Sequence, residues 1–254
     1  MEQKNARSFV AELVGTFLLV LFIGLVVSMF SQSPEALGVV DWTAIGLVHV
    51  LVLTMLVASL AGVSGAHFNP AVTIALAAMR KIRGADAGVY IVMQLIGGWL
   101  GAMVVKAVIK DEGDVAGYGA TAINKGFVSG NFGGMVLELI GTFALMLAIL
   151  GTAVIVKNKS DLAPLVIGGT LGMAVMCIGP LTGAGLNPAR ALGPLLVSGD
   201  FDFGDFIVVY AAGPIVGALL AVFLVGYLYG DEPQEAEAVT APREDIIDVT
   251  SNEV

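Results

Sequence analysis

Six long apolar stretches constrain this chain more than any other feature of its sequence. They run approximately over residues 8–30, 42–63, 87–109, 134–156, 162–180 and 206–229. Each is long enough to cross the roughly 30 Å hydrocarbon core of a bilayer as an α-helix. With 57% hydrophobic and 13% charged residues, the chain of 254 residues is too apolar for a soluble domain. The sequence therefore predicts an all-α membrane protein with six transmembrane helices.

Two shorter apolar segments, residues 71–79 and 189–197, lie between spans two and three and between spans five and six. At 1.5 Å of rise per residue, each covers about half of the hydrocarbon core. Each opens on an Asn-Pro-Ala triplet, formed by Asn69, Pro70 and Ala71 and by Asn187, Pro188 and Ala189. Asparagine is a favoured N-cap and proline fits the first helical position. We therefore expect two re-entrant half-helices that begin inside the membrane.

The two halves of the chain, about residues 8–109 and 134–229, repeat each other. AELVGTF from Ala11 matches LELIGTF from Leu137, and HFNPAV from His67 matches LNPARA from Leu186. Because each half holds three spans, an odd number, the halves enter the membrane from opposite sides. Inverted halves with interrupted helices indicate a site near the bilayer midplane. We predict a single membrane domain over residues 1–229, built from two inverted repeats.

The predicted half-helices give the centre of the protein a definite electrostatic character. A helix that begins inside the membrane presents unpaired N–H groups and a positive dipole end, so two such ends would repel cations and protons. The amides of Asn69 and Asn187 can donate hydrogen bonds to a passing solute. Arg190 has no acidic residue near it in sequence, between Asp161 and Asp200. Because an unpaired arginine in hydrocarbon is nearly untenable, we expect Arg190 to lie in a water-lined constriction.

The charges outside the spans predict the topology. Eight of the twelve basic residues fall on the face that also bears both termini: Lys4, Arg7, Arg80, Lys81, Arg83, Lys157, Lys159 and Arg243. The positive-inside rule then places both termini in the cytoplasm. Residues 230–254 form an acidic tail with one arginine. We expect a disordered terminus there, and a partner-binding tail is the alternative.

Several motifs resemble the aquaporin and glycerol-facilitator family, also called the major intrinsic proteins. They are SGAHFNPAVT from Ser64, LNPARALGP from Leu186, two Glu-X-X-Gly-Thr-Phe helices and GPIVGA from Gly213. The resemblance covers roughly residues 8–229. It implies an aquaporin-like hourglass, a homotetramer with one pore per protomer, and passive conduction.

Glu12 and Glu138 stand at equivalent places in spans one and four, where a charge facing lipid would cost several kcal/mol. We therefore expect both to face inward. The resemblance implies that they accept hydrogen bonds from the backbone of the re-entrant loops. A proton-relay role is the alternative.

The resemblance also implies a narrow selectivity filter formed by His49, Val175, Ala184 and Arg190. This set departs from strict water channels, which usually carry phenylalanine where His49 stands and histidine where Val175 stands. It is similar to the filters of plant tonoplast intrinsic proteins. A wider, half-apolar filter would admit ammonia, hydrogen peroxide or urea more readily. Alternatively, His49 is a histidine packed between helices.

We predict a passive channel for water, and for small neutral solutes such as ammonia, hydrogen peroxide or urea, that excludes protons and ions. A glycerol facilitator ranks lower, because the Asp and basic residue usual after the arginine of the second motif are replaced by Ala191 and Leu195. A closed-pore structural membrane protein is a further alternative. Two histidines and one cysteine without metal-ligand spacing argue against an enzyme. We expect no cofactor, no metal and no nucleic-acid partner, and the cell membrane is favoured over an internal one.

Overall fold

A computed structural model describes residues 5–30, 39–109, 111–155 and 160–230, and within these ranges the regular structure is helical throughout. The elements in chain order are α1 (Ala6–Phe30), α2 (Val39–Ser64), α3 (Pro70–Ala78), α4 (Gly84–Val108), α5 (Asp111–Val115), α6 (Gly130–Ile149), α7 (Ala163–Thr182), α8 (Pro188–Ser198), α9 (Phe203–Asp205) and α10 (Gly213–Tyr229). A π-helical segment, Leu150–Val154, continues α6, and another, Phe206–Ala212, joins α9 to α10. The predicted acidic tail lies outside the described residues from 231 onward, as do Lys4, Lys157 and Lys159.

Six of these helical stretches are long and apolar enough to cross a membrane, which confirms the predicted spans. They are Ala6–Phe30, Val40–Ser64, Gly84–Val108, Gly130–Val154, Ala163–Thr182 and Phe203–Tyr229. Most begin a few residues before the predicted boundary. Apolar composition marks only the part of a span that lies within the hydrocarbon core, whereas helical hydrogen bonding continues into the polar interface.

The six spans pair in a pattern that reflects the internal repeat. The first and third spans of each half pack on each other, α1 on α4 and α6 on α10, and the two middle spans, α2 and α7, pack together across the halves. Each short helix lies against the third span of the other half, α3 against α10 and α8 against α4. The result is the inverted-repeat hourglass, with α3 and α8 entering it from opposite sides.

Glycines allow the short helix α8 to lie directly on α4. A Cβ at Gly98 of α4 would overlap the carbonyl oxygen of Ala189, and a Cβ at Gly193 of α8 would overlap that of Gly98. Small residues at membrane helix interfaces permit such close backbone approach. This contact fixes α8, and with it the loop at its N-terminus, against a spanning helix.

Candidate functional site

The short helices α3 and α8 begin at asparagines that cap them. Asn69 and Asn187 have extended backbones, with φ of −152° and −157°. Oδ1 of Asn69 accepts a hydrogen bond from the N–H of Ala71 at 2.9 Å. Oδ1 of Asn187 accepts from the N–H groups of Ala189 at 2.9 Å and Arg190 at 3.3 Å. Each side-chain oxygen thus satisfies helix N–H groups that would otherwise lack partners.

The side-chain nitrogens of the same two asparagines join the two loops. Asn69 Nδ2 donates to the carbonyl of Leu186 at 2.9 Å, and Asn187 Nδ2 donates to the carbonyl of Phe68 at 2.8 Å. An amide nitrogen carries two hydrogens, so each bond leaves one for a solute. The two helix N-termini and their positive dipole ends therefore converge at one junction.

The loop before α3 is bound by the carboxylate of Glu12, which is fully buried in α1. Oε1 accepts from Ser64 Oγ at 2.6 Å and from the N–H of His67 at 3.0 Å. Oε2 accepts from the N–H of Phe68 at 2.7 Å and from Gln94 Nε2 at 2.8 Å. Four donors around one carboxylate compensate for much of the cost of burying it.

Glu138 of α6, also fully buried, binds the loop before α8 in the same way. Oε1 accepts from Thr182 Oγ1 at 2.6 Å and from the N–H of Gly185 at 2.8 Å, and Oε2 accepts from the N–H of Leu186 at 2.6 Å. These backbone contacts are of the kind that the family resemblance implies for both glutamates. Their role in supporting the loops stays a prediction.

Sequence reasoning missed the hydroxyl groups that complete these two networks. Ser64 and Thr182 donate to the carboxylates, while Tyr90 Oη donates to the carbonyl of Ser64 and Tyr210 Oη to that of Thr182, both at 2.8 Å. Ser64 and Thr182 each stand five residues before the capping asparagine, so the repeat carried a signal for them. Tyr90 and Tyr210 are not equivalent positions of the repeat, and their convergence depends on the fold.

Both loops have a strained backbone. Ala66 and Phe68 have φ of 53° and 48°, and the equivalent Ala184 and Leu186 have φ of 47° and 52°. Residues with side chains rarely adopt this left-handed region, and each instance costs on the order of 1–3 kcal/mol. Such strain persists only where the surroundings hold it, and here the buried carboxylates bind the same loops.

A cavity of about 500 Å³ runs along the junction. Its wall is largely apolar, formed by side chains of α1, α2, α6 and α7 that include Leu19, Ile23, Leu53, Leu145 and Leu171. Polar side chains also line it, including His49, His67, Asn69, Asn187 and Arg190. Of the described residues that line it, the charged ones are Lys81 and Arg190, both cationic. A cavity of this kind offers hydrogen bonds to a solute on a mostly apolar surface.

Arg190 lies in the first turn of α8 and is only 3% exposed. Its Nη1 donates to the carbonyl of Gly119 at 2.9 Å, while Nε is buried without a hydrogen-bond partner among the described residues. Sequence reasoning missed Gly119 because it lies 71 residues away and carbonyl groups carry no sequence signature.

His49 of α2 is 1% exposed, and its two ring nitrogens have different surroundings. Nδ1 lies 2.8 Å from the carbonyl of Ile45, whereas Nε2 is buried without a partner in the described part of the chain. Because a carbonyl can only accept, Nδ1 carries the hydrogen, and in a neutral ring Nε2 is then an acceptor. His49 and Arg190 both line the cavity, and the neutral ring of His49 has an acceptor, Nε2, that complements the donors of Arg190.

The other two predicted filter residues, Val175 and Ala184, are each 1% exposed and belong to the apolar cluster of α1, α2 and α7. Neither is among the described residues that line the cavity. The assignment of all four residues to one filter stays a prediction. His67 also lines the cavity, with Nδ1 3.1 Å from Thr73 Oγ1 and its ring edge-on to Tyr90 at 5.1 Å between centroids.

Comparison with known proteins gives concordant matches. The family model of the major intrinsic proteins matches residues 1–225. The chain is 40% identical to a probable aquaporin, AqpM, of Archaeoglobus fulgidus, over 90% of this chain and 99% of that protein. It is 36% identical to a glycerol uptake facilitator protein-like 6 of Lactiplantibacillus plantarum, over 85% and 95%.

A solved structure also matches. The X-ray structure of the aquaglyceroporin from Plasmodium falciparum aligns with a TM-score of 0.69 and 29% identity, covering 86% of this chain and 94% of the other. The family match over residues 1–225 includes the first five spans, both half-helices and most of the sixth span.

Proposed function

The chain belongs to the major intrinsic protein family, and we propose that its main solute is water. As a member of that family, it is an integral multi-pass membrane channel for water or small solutes and not an enzyme. We further propose that small neutral solutes such as ammonia, hydrogen peroxide and urea pass, and that protons and ions do not.

The cavity carries this proposal. It brings both capping asparagines, His49 and Arg190 to one continuous space about 500 Å³ in volume. A solute moving through it leaves bulk water and needs replacement hydrogen bonds, which the free amide hydrogens of Asn69 and Asn187 can supply. The apolar remainder of the wall binds water weakly, so a solute is not trapped.

The charges around the cavity favour neutral solutes. Lys81 and Arg190 are cationic, and the positive ends of α3 and α8 converge at the asparagines. A cation or hydrated proton would meet positive potential along this route. An arginine combined with half-helix dipoles is already known to exclude protons and cations in aquaporins, and the arrangement here is of the same kind. Water and other neutral molecules pay no such cost.

His49 and Arg190 support the proposed selectivity among neutral solutes. The Nε2 atom of His49 can accept a hydrogen bond and the guanidinium of Arg190 can donate one, so the pair can bind a solute with both functions, such as water, ammonia or urea. We propose that Val175 and Ala184 complete the constriction with an apolar wall, which would leave room for solutes slightly larger than water.

Glycerol is the second candidate. The observation in its favour is the apolar wall of the cavity, against which a carbon backbone can lie, together with the relative named as a glycerol uptake facilitator. Ala191 and Leu195 are buried and apolar where the resemblance leads us to expect an acid and a base in glycerol facilitators. We therefore rank glycerol below water, and a closed-pore structural protein below both.

We also propose that both termini lie in the cytoplasm, that the protein resides in the cell membrane, and that it forms a homotetramer with one pore per protomer. The topology rests on the basic loop residues and the positive-inside rule. The tetramer rests on the family to which the chain belongs.

Stopped-flow light scattering on proteoliposomes tests the proposal with water, ammonia, urea and glycerol against protein-free vesicles. We expect water flux well above that of the lipid alone, and ammonia or urea flux with it. Flux of water alone would mean a strict water channel, glycerol flux equal to that of water would favour the second candidate, and no flux would indicate a closed pore.

A matched pair of variants shows whether flux uses the cavity. Ala61→Trp places an indole on the cavity wall and should reduce water flux, because Ala61 lines the cavity. Ser59→Trp makes the same addition to the same helix at an exposed position that is not part of the lining, and should leave the flux unchanged.

A further inference from the structure

The C-terminal end of α8 is bound by a lysine from a different helix. Lys106, in the last turn of α4, donates from Nζ to the carbonyl of Val197 at 2.9 Å. The last carbonyls of a helix have no partner within it and carry the negative end of its dipole. A lysine amine at this position satisfies one carbonyl and neutralises part of that charge.

The same amine also contacts the loop that holds Arg190. Lys106 Nζ lies 5.2 Å from the centre of the Tyr118 ring, within the range of a cation–π interaction. Tyr118 is 6% exposed and has a left-handed backbone with φ of 54°. The next residue is Gly119, whose carbonyl accepts the hydrogen bond from Arg190 Nη1.

These contacts connect the two ends of α8 to each other through Lys106, Tyr118 and Gly119. At the N-terminal end, Arg190 is fixed to the carbonyl of Gly119, and at the C-terminal end Val197 is fixed to Lys106. Tyr118 connects Lys106 to Gly119. The loop itself packs tightly, since a Cβ at Gly119 would lie 2.8 Å from the Cα of Gly24 in α1.

We propose that Lys106 is a positioning residue for selectivity, which sets the position of Arg190 in the constriction by holding both α8 and the Tyr118–Gly119 loop. This inference rests on the proposed channel function and on the location of Arg190 in the cavity. Lys106 itself contacts no solute, because it is not part of the cavity lining in the described residues. Its removal acts on Arg190 from a distance.

The test is the ratio of urea to water permeability in proteoliposomes. Lys106→Met keeps an unbranched side chain, shorter by the terminal nitrogen, and removes the charge and the donor. We expect it to raise the ratio by about threefold or more, because functional groups must be held within about 0.5 Å of their working geometry. Lys106→Arg should keep the ratio near that of the unmodified protein, since a guanidinium can donate to Val197 and stack on Tyr118.

Two controls separate positioning from general loss of structure or charge. Lys125→Met removes an exposed lysine from the loop that precedes α6, and should leave the ratio unchanged. In an Arg190→Val background, Lys106→Met should add nothing further to the ratio, because the residue through which it acts is gone.

The inference is overturned if Lys106→Met conducts with an unchanged ratio, or if it raises the ratio equally in the Arg190→Val background. Failure of the proposed function has a different signature, since the unmodified protein would then show no flux above that of the lipid. If Lys106→Met does not yield folded protein, Lys106→Gln, which retains a neutral donor, gives the same comparison with a smaller expected rise.

Discussion

The side-chain amides of Asn69 and Asn187 each bind the backbone immediately before the other. Asn69 Nδ2 donates to the carbonyl of Leu186 and Asn187 Nδ2 to that of Phe68, across 117 and 119 residues of sequence. Because the side-chain oxygen of each asparagine also caps its own helix, these two residues fix both the starts of α3 and α8 and their mutual position.

Replacing either asparagine should destabilise the protein, and Asn187→Ala should do so more than Asn69→Ala. The Oδ1 atom of Asn187 accepts from two helix N–H groups, whereas that of Asn69 accepts from one. Loss of the cap costs about 1 kcal/mol and loss of the bond between the loops about 1 kcal/mol more. Thermal unfolding in detergent measures the effect. Asn124→Ala, at a loop position where the hydrogen bonds of the side chain are exposed to water, is the control. Equal melting temperatures for all three variants would contradict the prediction.

Glu138→Gln should cause a large loss of stability. A neutral amide has one acceptor oxygen in place of two, so in either orientation it leaves the N–H of Gly185 or that of Leu186 without an acceptor. Leaving buried donors unpaired costs about 1–3 kcal/mol each. The yield of monodisperse protein and its melting temperature report the loss. Asp161→Asn makes the same chemical change at an exposed position and should leave the melting temperature unchanged. A Glu138→Gln protein as stable as that control would contradict the role of Glu138 in supporting the loop before α8.

His49→Ala should raise the passage of urea and glycerol relative to water. Removing the imidazole widens the cavity and deletes the Nε2 acceptor. Leu51→Ala is the matched control, because Leu51 lies on the same helix and is 60% exposed. Solute permeabilities measured by light scattering give the comparison, and an unchanged ratio would place His49 among residues that merely pack between helices.

Gly98→Ala and Gly88→Ala should have opposite effects on stability, although both lie on α4. A Cβ at Gly98 would overlap the carbonyl of Ala189, and neither backbone can move away without disturbing the packing of α4 against α8. A Cβ at Gly88 meets nothing within 4 Å, so alanine gains up to about 1 kcal/mol from its higher helix propensity. Melting temperatures of the two variants test this, and a tolerated Gly98→Ala would mean that α8 does not lie as close to α4 as described.

Mercurial reagents should not inhibit water flux in the unmodified protein. Its one cysteine, Cys177, is exposed on α7 and is not part of the cavity lining. In a Cys177→Ser background, Ala184→Cys should make the flux sensitive to mercury if Ala184 belongs to the constriction. Retained flux in the labelled variant would exclude Ala184 from the filter, and mercury block of the unmodified protein would show that Cys177 faces the pore.

The sequence by itself determined the spans, the half-helices and their opposite orientation. These features depend on local properties: runs of apolar residues, an asparagine followed by proline, and three spans in each half. Local chemistry of this kind acts over one or two helical turns and leaves its pattern in contiguous residues. The repeat also placed Glu12 and Glu138 at equivalent positions.

Only the tertiary structure decided which groups those residues bind. Glu12 meets the N–H of Phe68 across 56 residues, Arg190 meets the carbonyl of Gly119 across 71, and Lys106 meets that of Val197 across 91. Backbone N–H and carbonyl groups occur at nearly every residue, so composition and spacing cannot single one out as a partner. The packing of α1, α4 and α8 selects them, because it determines which backbone groups are buried within reach of a charged side chain.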